Sequence, residues 1–437
     1  MKQFPALKSF SDFVHRSTSM SLKPTPKAMN TKLETRCCIV GGGPAGMMLG
    51  FLLARAGIHV VVLEKHADFL RDFRGDTIHP STLELMWELG LLEEFLKRPH
   101  QQTREIAGQV GDETVAIGDF THLPTHCKFL ALMPQWDFLN FVAEQGKRYP
   151  EFHLRMQTEA IDLIEENGRI VGVRAKTTDG PIEIRASLTV GADGRRSIVR
   201  ERAGLEVMDL GAPMDVFWMR VSRAPSDPGQ TLGKAAAGRI FIMIDREEYW
   251  QCGYVIPKGA AEETRNRGIE KFRQELVNLA PFLHDRIGEL RDWNDVSLLT
   301  VKVDRLKKWF RPGLLCIGDS AHAMSPVGGV GINLAIQDAV AAANILAPRM
   351  AAGNIDEADL ESVQRRREFP TRATQKLQIA VQNRVIRRVL GTSVPLKLPS
   401  VMRLLGRFSF LRRIPARVIG VGFRPEHIQT RDVHRGH

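Results

Sequence analysis

The segment "RCCIVGGGPAGMMLGFLLARAGIHVVVLEK", residues 36–65, constrains this chain more than any other. A short apolar run ends at Val40, and glycines follow at 41, 43 and 46 in a G-x-G-x-x-G spacing. An apolar helical stretch then runs from Pro44 to a stop at Gly57. The β-branched run after it ends at Glu64, 23 residues beyond Gly41. Each element has a physical task. Gly41 permits the tight turn, Gly43 lets the backbone approach a pyrophosphate, and Gly46 lets helix and strand pack closely. The helix N-terminus, with Pro44 and Ala45 in its first turn, offers free N–H groups to phosphate. An acid about 20 residues on suits the hydroxyl pair of a ribose and disfavours a 2′-phosphate. The bound nucleotide is therefore expected to be FAD or NAD(H) rather than NADP(H), with Glu64 and the adjoining Lys65 at its ribose end.

Two later segments decide between these. "LTVGADGRRSIVR" (188–200) is an apolar strand running into Asp193-Gly194. "GLLCIGDSAHAMSPVGGVGINLAIQDA" (313–339) is a strand, Gly318-Asp319, a loop through Pro326, glycines 328, 329 and 331, and a helix from about Ile332. With GxGxxG, DG and GD in this order, the chain resembles the FAD-dependent aromatic hydroxylases of the para-hydroxybenzoate hydroxylase type, over roughly residues 36–385.

That resemblance implies FAD as cofactor, NAD(P)H as co-substrate, and O₂ added through a flavin C4a-hydroperoxide to an aromatic, phenolic or quinone-like small molecule. It implies that Asp319 bonds the ribityl chain and that the helix opening at Gly329, Gly331, Ile332 and Asn333 aims its N-terminus at the flavin N1–C2=O edge. Backbone N–H groups and the helix dipole there favour the reduced, anionic ring. By the same resemblance, Asp193 touches flavin and incoming nicotinamide nucleotide, Arg74 reaches the FAD phosphate or ring, and Gln135 lies near the ribityl chain. The carbonyl of Pro326 falls near C4a. His322 reads as a structural loop histidine, and no catalytic base can be assigned. Three alternatives share the scaffold: a geranylgeranyl-reductase-type enzyme, a flavin halogenase, and a Rab-escort-type binding module. Ile256-Pro257 occurs without the W-x-W-x-I-P of tryptophan halogenases, and the intact GD loop argues against a pure binding module.

The fold expected is α/β: a Rossmann-like FAD-binding domain in two parts (36–207 and 303–385) around an inserted, mostly antiparallel sheet (208–302). That sheet is expected to bind substrate, with Trp218, Met219, Phe241, Met243, Trp250 and Tyr254 as cavity-wall candidates, although sheet core is the commoner role for such residues. A basic leader (1–35) and a basic helical tail (386–437) flank these parts. The net charge of +11 resides in those ends: residues 1–36 carry +5 and 384–437 carry +10, leaving −4 for the body. Such a body has no nucleic-acid footprint. The leader lacks an apolar core for secretion and reads as disordered, with Met29 a natural start. Five cysteines without a CxxC read as reduced, packed thiols in a cytoplasmic protein. No metal site is expected. The tail mixes apolar and basic residues at helical spacing, which suits either a peripheral membrane element or an end-piece packed on the FAD domain.

Overall fold

The computed structural model describes residues 31–70, 77–111, 113–228 and 232–434. Arg74 and the leader through residue 30 lie outside them. The central sheet has a parallel core in which Thr31–Val40 pairs on one side with Val60–Leu63 and on the other with Gly180–Gly191. Phe152–Arg155 and Leu314–Cys316 extend it at either end, also in parallel. The helices Pro44–Arg55 and Gly331–Ala351 lie against it, residues 45–54 of the first all being buried. Helix Gly331–Ala351 has the length and hydropathy to cross a membrane, but most of it is buried in this core. The first strand starts earlier than the composition of the leader indicates: Thr31–Thr35 already pair with Ile182–Ala186. Lys32 and Glu34, alternating with apolar and small residues, disguised this part of the strand.

The chain leaves the FAD domain through Val207–Asp209 and returns through Asp304–Leu306, and these two strands pair with each other. Between them lie the strands Met214–Ser222, Leu232–Ala236, Arg239–Asp245, Tyr249–Pro257 and Ser297–Leu299, antiparallel to their neighbours within this group. The sheet they form has seven strands, because Glu105–Val110 and Glu113–Asp119 join its far edge. Those two come from the stretch assigned by sequence to the FAD domain. Glu105–Val110 pairs in parallel with Leu232–Ala236, a non-local contact without a local signature.

Side chains alternate across a strand, and that alternation sorts the cavity-wall candidates. Met219, Phe241, Met243, Trp250 and Tyr254 pack into a core with Phe272 and Leu276 of helix Ile269–Leu279. Trp218 is on the opposite face, in a cluster with Val216, Ile240 and Val327. Sheet core, not cavity wall, is the role of the other five. All five cysteines are buried and form no disulfide.

Candidate active site

The three glycine motifs meet in one place. Gly41 has a φ of 110°, and a Cβ there would stand 2.4 Å from the carbonyl oxygen of Ala192, the residue before Asp193. Gly46 lies so close to the turn that a Cβ would come within 2.0 Å of the Gly41 carbonyl. Gly318 sits between the two helices, a Cβ there meeting Ala45 and Ala335 at 3.1 Å each. Asp319 then receives a hydrogen bond from Nε of Arg195, in the DG segment, at 3.0 Å. Motifs far apart in sequence thus meet at the C-terminal ends of the parallel strands.

Gly43 tests whether this place suits a dinucleotide. A Cβ added at Gly43 would find only one atom within 4 Å, at 4.0 Å. The glycine is not forced by protein packing, so the room beside it is room for a ligand approaching the backbone. Helix Pro44–Arg55 opens there with proline in its first turn and no side-chain cap, which leaves its N–H groups for phosphate. Glu64 receives bonds from the backbone N–H groups of Gly42 at 3.2 Å and His66 at 3.0 Å. Gly42 is close enough that a Cβ would meet the Glu64 side chain at 2.9 Å, a constraint that the G-x-G-x-x-G spacing does not announce. Lys65 is exposed beside it. The donor set fits FAD.

At the second loop, Gly328 and Gly329 have φ of 79° and 62°, and helix Gly331–Ala351 begins immediately afterwards. The carbonyl of Pro326 accepts the Gly329 N–H at 3.0 Å, so it closes this turn. Asn333 turns inward. Its Oδ1 accepts the His79 N–H and the Thr82 hydroxyl at 2.8 Å each, and its Nδ2 donates to the Thr77 carbonyl at 2.9 Å. Thr77 Oγ1 donates to the Gly329 carbonyl at 3.1 Å. Asn333 therefore pins the loop to the segment 77–82, and only its backbone remains for a ring edge.

Asp193 also works locally. It accepts the Ser197 hydroxyl at 2.5 Å and the Val199 N–H at 3.2 Å, bracing the N-cap Ser197 and the first turn of helix Ile198–Arg202. Burial raises its carboxyl above the ordinary range, against the pull of those bonds. Gln135 is half-buried in the first turn of helix Gln135–Gly146. Two residues on, burial raises the carboxyl of Asp137, opposed by the guanidinium charges of Arg98 and of Arg246 from the sheet domain.

Beneath the second loop runs a polar network that sequence reasoning missed, apart from reading His322 as structural. Asp338 accepts from His322 Nε2 at 2.5 Å, Arg367 Nε at 2.9 Å and the Gly318 N–H at 3.0 Å. Burial pushes its carboxyl up, but His322 and Arg367 together hold it below the usual range. Arg367 continues to Glu426 at 3.1 Å. Helix Glu357–Val381 adds a row of glutamines. Gln378 Nε2 donates to the carbonyls of Ser325 and Val327, both at 2.9 Å, while its Oε1 accepts the Ser325 N–H at 3.1 Å. The available signal was polar residues at 371, 374, 375, 378 and 382 on what must be one helical stripe.

Comparison with known proteins completes the picture. Residues 34–377 match the family model described as "FAD binding domain". The 6-methylpretetramide 4-monooxygenase of Streptomyces rimosus is 31% identical over 405 residues, 91% of this chain and 95% of that protein. The chain belongs to the FAD-dependent aromatic hydroxylases. The 2,4-dichlorophenol 6-monooxygenase of Delftia acidovorans is 28% identical, the match covering 71% of this chain and 56% of that longer protein. The crystal structure of p-nitrophenol 4-monooxygenase from Pseudomonas putida DLL-E4 shares the fold, with a TM-score of 0.71, 19% identity and coverage of 88% and 97%. This aromatic hydroxylase is thus an FAD-dependent oxidoreductase of the monooxygenase class, acting with O₂ on an aromatic small molecule. The prenyl-reductase and halogenase alternatives have less support.

Proposed function

We propose that this hydroxylase draws electrons from NAD(P)H and hydroxylates a flat, polycyclic phenol. One oxygen atom of O₂ enters the ring and the other leaves as water, while NAD(P)H is oxidised. The observation that carries the substrate class is the side of the seven-stranded sheet that packs toward Val327 of the second glycine loop. Paired residues across it run Trp218, Gly253, Ile242, Gly233 and, in the next row, Val216, Val255, Ile240, Ala235, Val110. This side is apolar, with glycines in place of side chains in the first row, while Val216 and Val255 of the second are buried beside Ile386 and Leu390. A Cβ at Gly253 would stand 3.0 Å from the Trp218 ring, so the indole lies flat on the sheet. A shelf of this kind stacks a fused-ring substrate better than a single small ring. The relative aligned over nearly its whole length is a 6-methylpretetramide 4-monooxygenase, which supports the same reading.

In this proposal the backbone of Gly41, Gly43, Pro44, Ala45 and Gly46 holds the FAD pyrophosphate, and Glu64 the adenosine ribose. Asp319, oriented by Arg195, holds the ribityl chain, and the N–H groups of Gly331, Ile332 and Asn333 face the ring edge. When bound, FAD supplies the redox and oxygen-activating chemistry. The protein's own residues position it and keep the cavity dry. The test is to mix holoenzyme with 6-methylpretetramide or a comparable tetracyclic phenol under ¹⁸O₂. Stimulated NAD(P)H oxidation and one ¹⁸O in the product are expected. Stimulation by monocyclic phenols alone would remove the polycyclic assignment.

A further inference from the structure

The C-terminal segment carries a feature that the oxidation chemistry does not use. Residues 369–425 contain no Asp or Glu. Within this stretch the helices Ser400–Arg407 and Arg413–Gly420 form an elbow on the outside of strand Glu113–Asp119. Its inner side is anchored. Ala416 packs with Phe120, Leu123 and Leu130, Gly420 lies against Phe120 and Leu123, and the Ile419 carbonyl accepts from Nδ1 of His79 at 2.7 Å. The bend is braced by Arg412, whose guanidinium donates to the carbonyls of Leu405 and Gly406, both at 2.9 Å.

The outer side is apolar and, among the described residues, uncovered. Val401, Leu404, Phe408, Phe410 and Ile414 are 69, 48, 40, 59 and 63% exposed. Phe408 and Phe410 meet edge to face with ring centroids 6.0 Å apart. Arg403, Arg407, Arg413 and Arg417 are exposed around them. A ridge of large apolar side chains bordered by arginines, on helices whose other side is fixed to the protein, has the form of an interfacial membrane element.

We propose that this elbow docks the enzyme on an anionic lipid bilayer, with Phe408, Phe410 and the aliphatic ridge entering the headgroup layer and the arginines meeting lipid phosphates. Charge selects this occupant over a second copy of the chain, because a symmetric contact through the ridge would set arginines against arginines. The elbow lies beside the second glycine loop: Ile419 is 4.0 Å from where a Cβ of Gly328 would be.

The test is sedimentation of the FAD-loaded full chain with vesicles, followed by flavin absorbance. Phosphatidylcholine vesicles containing phosphatidylglycerol should carry the enzyme down at low salt, and those of pure phosphatidylcholine should not. At about 0.5 M salt, where the screening length shrinks to a few Å, most of the binding should be lost. The double variants Phe408→Ser/Phe410→Ser and Arg403→Gln/Arg407→Gln should each weaken binding at least about tenfold with flavin content unchanged. Absence of binding to the anionic vesicles at low salt overturns the proposal. So does a dimer in light scattering that the Phe408→Ser/Phe410→Ser variant converts to monomer, or capture by an acidic protein with no affinity for vesicles.

Discussion

His322 and Asp338 face each other beneath the second glycine loop, Nε2 to Oδ2 at 2.5 Å, with both side chains buried. The same carboxylate oxygen also holds the Gly318 N–H, and the other oxygen holds Arg367. One aspartate thereby ties the GD turn, the helix Gly331–Ala351 and the helix Glu357–Val381 into a unit. Asp338→Asn should leave Arg367 with only the Glu426 carboxylate that it shares with Arg366, a loss of up to about 3 kcal/mol for one broken buried pair. The expected outcome is a lower melting temperature together with loss of flavin on gel filtration, because Gly318 precedes Asp319. A variant that melts early but keeps stoichiometric FAD would show that the network supports the fold without supporting the site.

Gly329 and Thr77 are matched to each other. A Cβ on Gly329 would come within 2.3 Å of Thr77 Oγ1, and the glycine's φ is 62°. Gly329→Ala should therefore cost both the clash and about 1 kcal/mol of left-handed strain. Adding Thr77→Ala removes the clashing oxygen and leaves the strain. The double variant should recover part of the FAD affinity lost in Gly329→Ala, as measured by flavin fluorescence titration. Additive losses in the two single variants would mean that the loop does not sense this contact.

The two glycine loops were legible because backbone conformation and close approach admit few residues besides glycine, so Gly41, Gly46 and Gly318 write their geometry into the sequence. The fold class followed from the same motifs. What stayed hidden was non-local. Glu105–Val110 joins a sheet formed by much later residues, and its half-exposed pattern carries no sign of that partner. Asn333 and Asp193 stood out in the sequence as candidates, but not the way their side chains are spent, on Thr77, His79 and Thr82 and on Ser197 and Val199. Whether a polar side chain at a motif faces a ligand or the protein depends on where another segment passes, and spacing alone does not record it.

His79 offers a test by pH. Burial pushes its imidazole down to about 4, the bond to the Ile419 carbonyl opposing this only in part. In the unfolded chain a histidine titrates near about 6.5. Between these values the unfolded state binds a proton that the folded state refuses. Stability is therefore intact above the unfolded value and falls as pH drops toward about 4, by up to about 3 kcal/mol. His79→Asn keeps a side-chain donor for Ile419 but removes the titration. Its melting temperature should fall less steeply than that of the native chain across this window. Parallel curves would mean that other groups carry the acid sensitivity.

Gln378 is the side chain through which the far helix governs the second loop. Its amide makes three bonds to Ser325 and Val327, so it clasps the backbone on both sides of Pro326. Each buried backbone group it satisfies would cost about 1–3 kcal/mol if left unpaired, and among the described residues no other side chain bonds all three. Gln378→Met retains the volume and loses every bond. Gln378→Glu can still accept from the Ser325 N–H, but it turns a carboxylate oxygen toward two carbonyls that need a donor. Both variants should slacken the loop while leaving the first glycine loop and Glu64 in place. FAD affinity should accordingly fall without being abolished, and a larger share of NAD(P)H electrons should appear as H₂O₂ instead of hydroxylated product. A purely structural role would lower the melting temperature and leave the peroxide share of the remaining holoenzyme unchanged. An increase in that share, in Met and Glu variants alike, would identify the clasp as the device that fixes the loop for oxygen transfer.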